Sequence, residues 1–91
     1  MKPALVISDR DNVATALEPL EPGRALELAG RSIVVVERIP SGHKVALHAI
    51  GAGDAIVKYG NPIGTATSAI APGQHVHIHN VASTRGRGDL A

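Results

Sequence analysis

No cysteine, phenylalanine or tryptophan occurs in these 91 residues, and Tyr59 is the single tyrosine. Without thiols there can be no disulfide and no thiolate metal site. Without aromatic rings there is no platform for stacked bases. The nine basic and eight acidic residues, net charge +1, are scattered rather than clustered, so a phosphate-binding surface is missing as well and nucleic acid is set aside as a partner. No apolar run approaches the ~20 residues that cross a bilayer. Charge follows Met1–Ile7 at once, unlike a signal peptide, so the expectation is a soluble cytoplasmic protein with no membrane partner. The 44% hydrophobic content comes almost wholly from Val, Ile, Leu and Ala. A chain this short buries roughly 60–65% of its unfolded surface, so one thin-cored domain over 1–82 is expected. It would lean on a partner or on homo-oligomerisation and be followed by an Arg/Gly tail over 83–91.

Against that plain background one segment stands out, Pro72-Gly73-Gln74-His75-Val76-His77-Ile78-His79-Asn80-Val81. Alternation by single residues is the period of a half-buried strand, which puts Val76 and Ile78 toward a core and His75, His77 and His79 in one row on the other face. Side chains two apart on a strand stand about 7 Å from each other. Neighbouring imidazoles can therefore meet at one ligand, whereas His75 and His79 cannot. Solvation alone gives no reason for one residue type three times in strict alternation, and the row reads as a site.

Ten glycines and six prolines cut the remaining chain into short pieces. Leu5-Val6-Ile7 reads as a first strand or an arm. Polar residues from Asp9 to Asn12 precede Val13-Ala14-Thr15-Ala16-Leu17, whose Val13 and Leu17 are four apart. The expectation there is a helix of one or two turns closed by Pro19 and Pro22, with Asn12 as its cap or as a ligand. Leu20-x-x-Gly23, Ile39-x-x-Gly42 and Ile70-x-x-Gly73 each place an aliphatic residue three before a glycine and read as turns entering strands. The second and third copies match further, making His48 the counterpart of His79 and allowing the two to approach across a pseudo-twofold axis. Ile33-Val34-Val35-Val36 reads as a central strand and Ala55–Tyr59 as another, with turns at Gly51–Asp54 and Gly60–Pro62. Taken together the pattern predicts a mainly β, barrel-like domain with one or two short helical turns. The tail, where Gly alternates with Arg, reads as a mobile segment: an arm that orders on a partner or anion, or a solvated end.

Lys58-Tyr59-Gly60-Asn61-Pro62-Ile63-Gly64-Thr65-Ala66-Thr67, followed by Ile70-x-x-Gly73-x-His75-Val76-His77-x-His79-Asn80, resembles the amino-terminal module of the altronate and galactarate dehydratase family. Asp11-Asn12-Val13-Ala14-x-Ala16-Leu17, Gly42–Leu47 and Arg85–Asp89 fit the same pattern, so the likeness covers most of Asp11 to Asp89. It implies a β-clip fold of the SAF type, either made as a small subunit or fused ahead of a larger catalytic domain. It also implies a hydro-lyase acting on a sugar acid such as altronate or galactarate, a larger catalytic chain as partner, and no activity alone. The alternative is a non-catalytic SAF-type module that binds a sugar acid or a metal for regulation.

Dehydration of a 2-hydroxy acid removes a weakly acidic proton beside a carboxylate and protonates a departing hydroxyl, which asks for a metal or fixed donors and a general acid. Histidine serves both needs. On this reading the resemblance implies His75 and His77 as ligands of a divalent metal, Fe²⁺ or Mn²⁺. His77 and His79 become the catalytic histidines, and Asn80, His43 and Lys44 the substrate-binding groups. The competing reading of His43 and Lys44 is that of solvated turn residues. No acidic residue is near the histidine row in sequence, so any carboxylate must come from elsewhere in the fold or from the partner.

Overall fold

Glycine-bounded turns, not helices, organise the chain. The computed structural model describes residues 2–28 and 30–83, and among them there is no helix. Nine short strands form three antiparallel sheets. One joins β1 (Ala4–Leu5), β2 (Val13–Ala16), β5 (Lys44–Ala46) and β8 (His75–Val76) in that order. A hairpin pairs β3 (Ala25–Leu28) with β4 (Arg31–Val34), and a third sheet runs β6 (Ala55–Lys58), β7 (Asn61–Ala66), β9 (Val81–Ser83). The tail expected over 83–91 lies, apart from Ser83 at the end of β9, outside the described residues.

The aliphatic-x-x-Gly turn occurs four times, since Ile50-x-x-Gly53 joins the three copies legible in the sequence. Leu20, Ile39, Ile50 and Ile70 are all buried. They bridge in pairs, Leu20 with Ile39 and Ile50 with Ile70, each pair exchanging two backbone hydrogen bonds of 2.8–2.9 Å. Three residues on, each glycine has φ between 82° and 91° and donates its N–H across the fold: Gly23 to Val35, Gly42 to Ala16, Gly53 to Ala66 and Gly73 to Ala46. The pairing is thus first with second and third with fourth. The expected meeting of His48 and His79 does not occur among the described residues, where His48 Nδ1 lies 2.9 Å from the carbonyl of Ala49.

The segment expected to be helical is β2. It lies inside the first sheet, between β1 and β5, and both of its faces are covered. Ala14 and Ala16 pack with Leu20, Leu26, Val35, Ile39 and Val45, while Val13 packs with Ala46, Ile50, Ile56, Ile70 and Val76. A strand buried on both faces loses its alternation and can be mistaken for a helical stretch. Ile33–Val36 departs from expectation the other way. Its first half, Ile33 and Val34, ends strand β4 of a two-stranded hairpin and Val35 and Val36 run on past it, with Ile33 and Val35 buried and Val34 and Val36 more than half exposed. The β6–β7 hairpin turns on Tyr59 and Gly60, at φ 57° and 76°, the two consecutive positive values of a tight type I′ connection, so Asn61 and Pro62 belong to β7 rather than to the turn.

Two polar anchors hold these pieces in register. Buried Asp11 accepts backbone N–H groups from Gly60 at 2.8 Å and Ser8 at 3.1 Å. Asn12, expected as a helix cap or ligand, is neither a cap nor free. Its amide donates to Ala55 O and accepts from Val57 N, both at 2.8 Å, and so extends the pairing of β6.

Candidate functional site: a histidine cluster beside a lysine-walled pocket

The register β5 against β8 creates the site. Lys44 lies opposite Val76 and Val45 opposite His75, so the exit of the second glycine turn is laid beside the exit of the fourth. Gly73 brings a third segment, the end of β4, against the same exit. It sits at φ 82°, and a β-carbon there would meet the carbonyl of Val34. Val36 donates to the carbonyl of Gly73 at 3.0 Å, which draws Glu37 alongside, and Glu37 Oε2 accepts the N–H of His75 at 3.1 Å.

After Val76 the chain leaves the strand. Asn80, 3% exposed, accepts the N–H of His77 and donates to the carbonyl of His75, each at 2.9 Å, while its own N–H bonds His77 O at 3.0 Å. A short amide side chain that satisfies backbone groups locally competes with the ladder and ends it. Strand β8 is therefore two residues long instead of the whole alternating segment, and Ile78, expected in the core, is 83% exposed at the tip of a loop.

This loop gathers the imidazoles more tightly than a straight strand would. His43, from the turn before β5, stacks on His77 with ring centres 3.8 Å apart, and its Nδ1 lies 2.8 Å from Nε2 of His75. The rings of His75 and His77 are 5.5 Å apart and nearly parallel, and His79 is 5.0 Å from His75 at a tilt of 39°. His43, His75 and His77 each present a nitrogen within 4.8 Å of the others. Nitrogens about 2.1 Å from one tetrahedral ion stand about 3.4 Å apart, so to share one the rings would turn out of their stack and nitrogens now up to 4.8 Å apart would close to that spacing. Nδ1 of His77 is buried without a hydrogen-bond partner. Leaving such an atom unpaired costs about 1–3 kcal/mol, and a bound cation would satisfy it. Burial, then the charges of His79, His43 and His77, lowers the pKa of His75 against the opposing pull of Glu37. Burial, then His43, Lys44 and His79, lowers that of His77. Both shifts favour the neutral ring, whose lone pair can serve a metal. Three imidazoles with no thiolate suit a borderline divalent ion.

Residues 2–84 match the model of the altronate/galactarate dehydratase SAF domain. The chain belongs to this family. It is 46% identical over 80 residues to an altronate dehydratase of Bacillus subtilis, covering 88% of this chain and 16% of that protein. The altronate dehydratase of Escherichia coli is 43% identical over 70 residues, 77% of this chain and 14% of that protein. The alpha subunit of (2R)-sulfolactate sulfo-lyase from Paracoccus pantotrophus is 49% identical over 47 residues, 52% of this chain and 70% of that subunit. The chain thus spans about a sixth of the altronate dehydratases it matches.

In this SAF domain the β-clip of short sheets joins the cluster to a pocket of about 380 Å³, lined by Lys44, Pro62, Ile63, His77, Ile78 and Val81 among others. His77 belongs to both. Burial, followed by the charge of Lys58, lowers the pKa of Lys44. Of the residues named from the sequence, the structure brings His43, His75 and His77 together, lines one pocket with Lys44 and His77, and engages the amide of Asn80 with backbone; His79 is exposed, yet its ring comes within 5.0 Å of His75, closer than strand spacing allows, because the loop bends the chain back. Sequence reasoning missed Glu37 beside His75, because 38 residues separate the two and no local pattern announces the contact.

Proposed function

We propose that this SAF domain supplies the histidine wall of a metal-dependent hydro-lyase site for a sugar acid, completed by a larger catalytic chain. The observation that carries the reading is the convergence of His43, His75 and His77, with an unpartnered buried nitrogen, in a family whose relatives are named altronate dehydratase and sulfolactate sulfo-lyase subunit alpha. A divalent ion, Fe²⁺ or Mn²⁺, held there would supply Lewis-acid polarisation of a substrate oxygen. The neutral rings of His75 and His77 are its natural donors, with His43 as the third. His79, outside the trio and open to solvent, is the group placed to give a proton to a departing hydroxyl. Asn80 holds the loop that aims His77. Ile78, an exposed apolar side chain between His77 and His79, is suited to burial against a larger chain that closes the site.

The test is a complex of this chain with its larger partner, isolated through a tag on this chain and assayed for dehydration of altronate and galactarate with Fe²⁺ or Mn²⁺. His77→Ala should lower turnover at least 100-fold while circular dichroism and the melting temperature hold. Unchanged turnover would sink the reading. Metal or sugar-acid binding by the chain with no larger partner and no turnover would favour the non-catalytic binding module instead.

A further inference from the structure

The pocket beside the cluster has a chemistry of its own. Lys44 and Ala46 share one face of β5, and Val76 lies opposite Lys44, so the stem of Lys44 emerges from the edge of the second core. Pro62, Ile63 and Val81 form the apolar wall around it, with Ile63 and Val81 packed against that same core. Lys44 is half-buried, Lys58 is close enough for its charge to be felt at Lys44, and neither forms an ion pair among the described residues. The half-buried ammonium of Lys44, without an ion-pair partner among the described residues, is open to an anion that enters the pocket between it and His77. A volume of about 380 Å³ holds a small organic acid.

The geometry points to a carboxylate subsite in this pocket, in which Lys44 anchors the carboxylate of a small 2-hydroxy acid and so brings its hydroxyl-bearing carbon toward His77. The inference rests on the hydroxy-acid reading above for the identity of the ligand, and adds to it the residue that binds the acid and the side from which the acid enters. A carboxylate and an inorganic oxyanion share the attraction to lysine. What separates them is the apolar wall opposite, which contacts a carbon chain and gives phosphate nothing.

The experiment is a titration of the full chain, metal-free, with tartrate, propionate and inorganic phosphate, followed by amide and side-chain NMR shifts. Tartrate should move the signals of Lys44, Ile63, His77 and Val81 together and bind more tightly than phosphate. Lys44→Met, which keeps the stem, should weaken tartrate at least 10-fold. Lys58→Met removes the same charge outside the pocket lining and should weaken it less than 3-fold. Equal losses in the two variants, or no loss in Lys44→Met, would overturn the subsite. Phosphate binding as tightly as tartrate with the same shifts would also overturn it, reducing the pocket to a general anion site. A parallel calorimetric titration with Mn²⁺ separates the two claims. Mn²⁺ binding without a Lys44-dependent tartrate response refutes the subsite alone, and a Lys44-dependent tartrate response without Mn²⁺ binding refutes the metal reading alone.

Discussion

Replacing Asn80 with alanine tests whether a single amide side chain shapes the histidine loop. Asn80→Ala deletes two hydrogen bonds of 2.9 Å and strands the N–H of His77 and the carbonyl of His75 in a half-buried setting. Each unsatisfied buried group costs about 1–3 kcal/mol. The loop tip is open to water and can rehydrate part of what is lost, so the net loss expected is about 2 kcal/mol. A chain of this length has roughly 5–13 kcal/mol in hand, and the variant stays folded. Urea denaturation measures that loss, and calorimetry with Mn²⁺ measures the rest of the argument. With the spacing of His75 and His77 no longer fixed, metal affinity should fall at least 10-fold. Asn12→Ala is the control, because Asn12 makes the same two kinds of bond to β6, at 2.8 Å each. It should cost about the same stability and leave metal affinity within 2-fold. The reasoning fails if Asn80→Ala costs less than 0.5 kcal/mol, or if both variants lose metal affinity equally, since the effect would then be general loosening and not the aim of the loop.

Two other predictions concern the scaffold. Gly73→Ala meets a positive φ and the Val34 carbonyl, whereas Gly23→Ala meets a similar φ in open space; by denaturation the first should cost at least about 2 kcal/mol and the second about 1. Burial works to raise the pKa of Asp11, but backbone N–H groups of Gly60, Ser8, Tyr59 and Ile7 together hold it below its ordinary 3.8. Its contribution is therefore fully present above that value and lost as pH falls toward the folded pKa. Denaturation midpoints measured from pH 7 to pH 2 should show a drop below about pH 4 that is shallower in Asp11→Asn; an equal drop in both would remove Asp11 as the cause.

How far the sequence revealed this molecule depended on how local each determinant is. Aliphatic-x-x-Gly turns were legible because a glycine at positive φ is a local requirement, and three of the four copies were found that way. The alternation of His75, His77 and His79 picked out a segment whose rings the fold does gather, but it wrongly implied a long strand, because the amide of Asn80, read as a substrate contact, engages the backbone just before it. Val13–Ala16 was mistaken for a helix since burial on both faces erases the period of two. His43 was named as a substrate contact, and only the pairing of β5 with β8 brings it within reach of His75 and His77. Glu37 had no sequence signal at all, since its place follows from the contact of Val36 with Gly73.

That dependence explains why the cluster sits where it does. The scaffold uses one turn four times, and each exit feeds a short strand into a small sheet. What differs at the β5–β8 pairing is that two exits cross antiparallel at a sheet edge, with His43 one residue past Gly42 and His75 two past Gly73. Neither position has room to move: Gly42 is tied to Ala16, Gly73 to Ala46, and the carbonyl of His43 accepts the N–H of Ala16. The imidazoles therefore start from backbone anchors fixed by the fold, and the ordering entropy that three loop histidines would otherwise lose on binding an ion is largely spent in folding. His43 closes the turn that enters β5 and His75 opens β8, whereas His77 stands past the end of its strand, and there the buried amide of Asn80 replaces the missing ladder. A two-residue strand followed by an asparagine-held loop gives a closer cluster than seven residues of regular β structure, because a regular strand would keep His75 and His77 about 7 Å apart with no third ring between neighbouring exits.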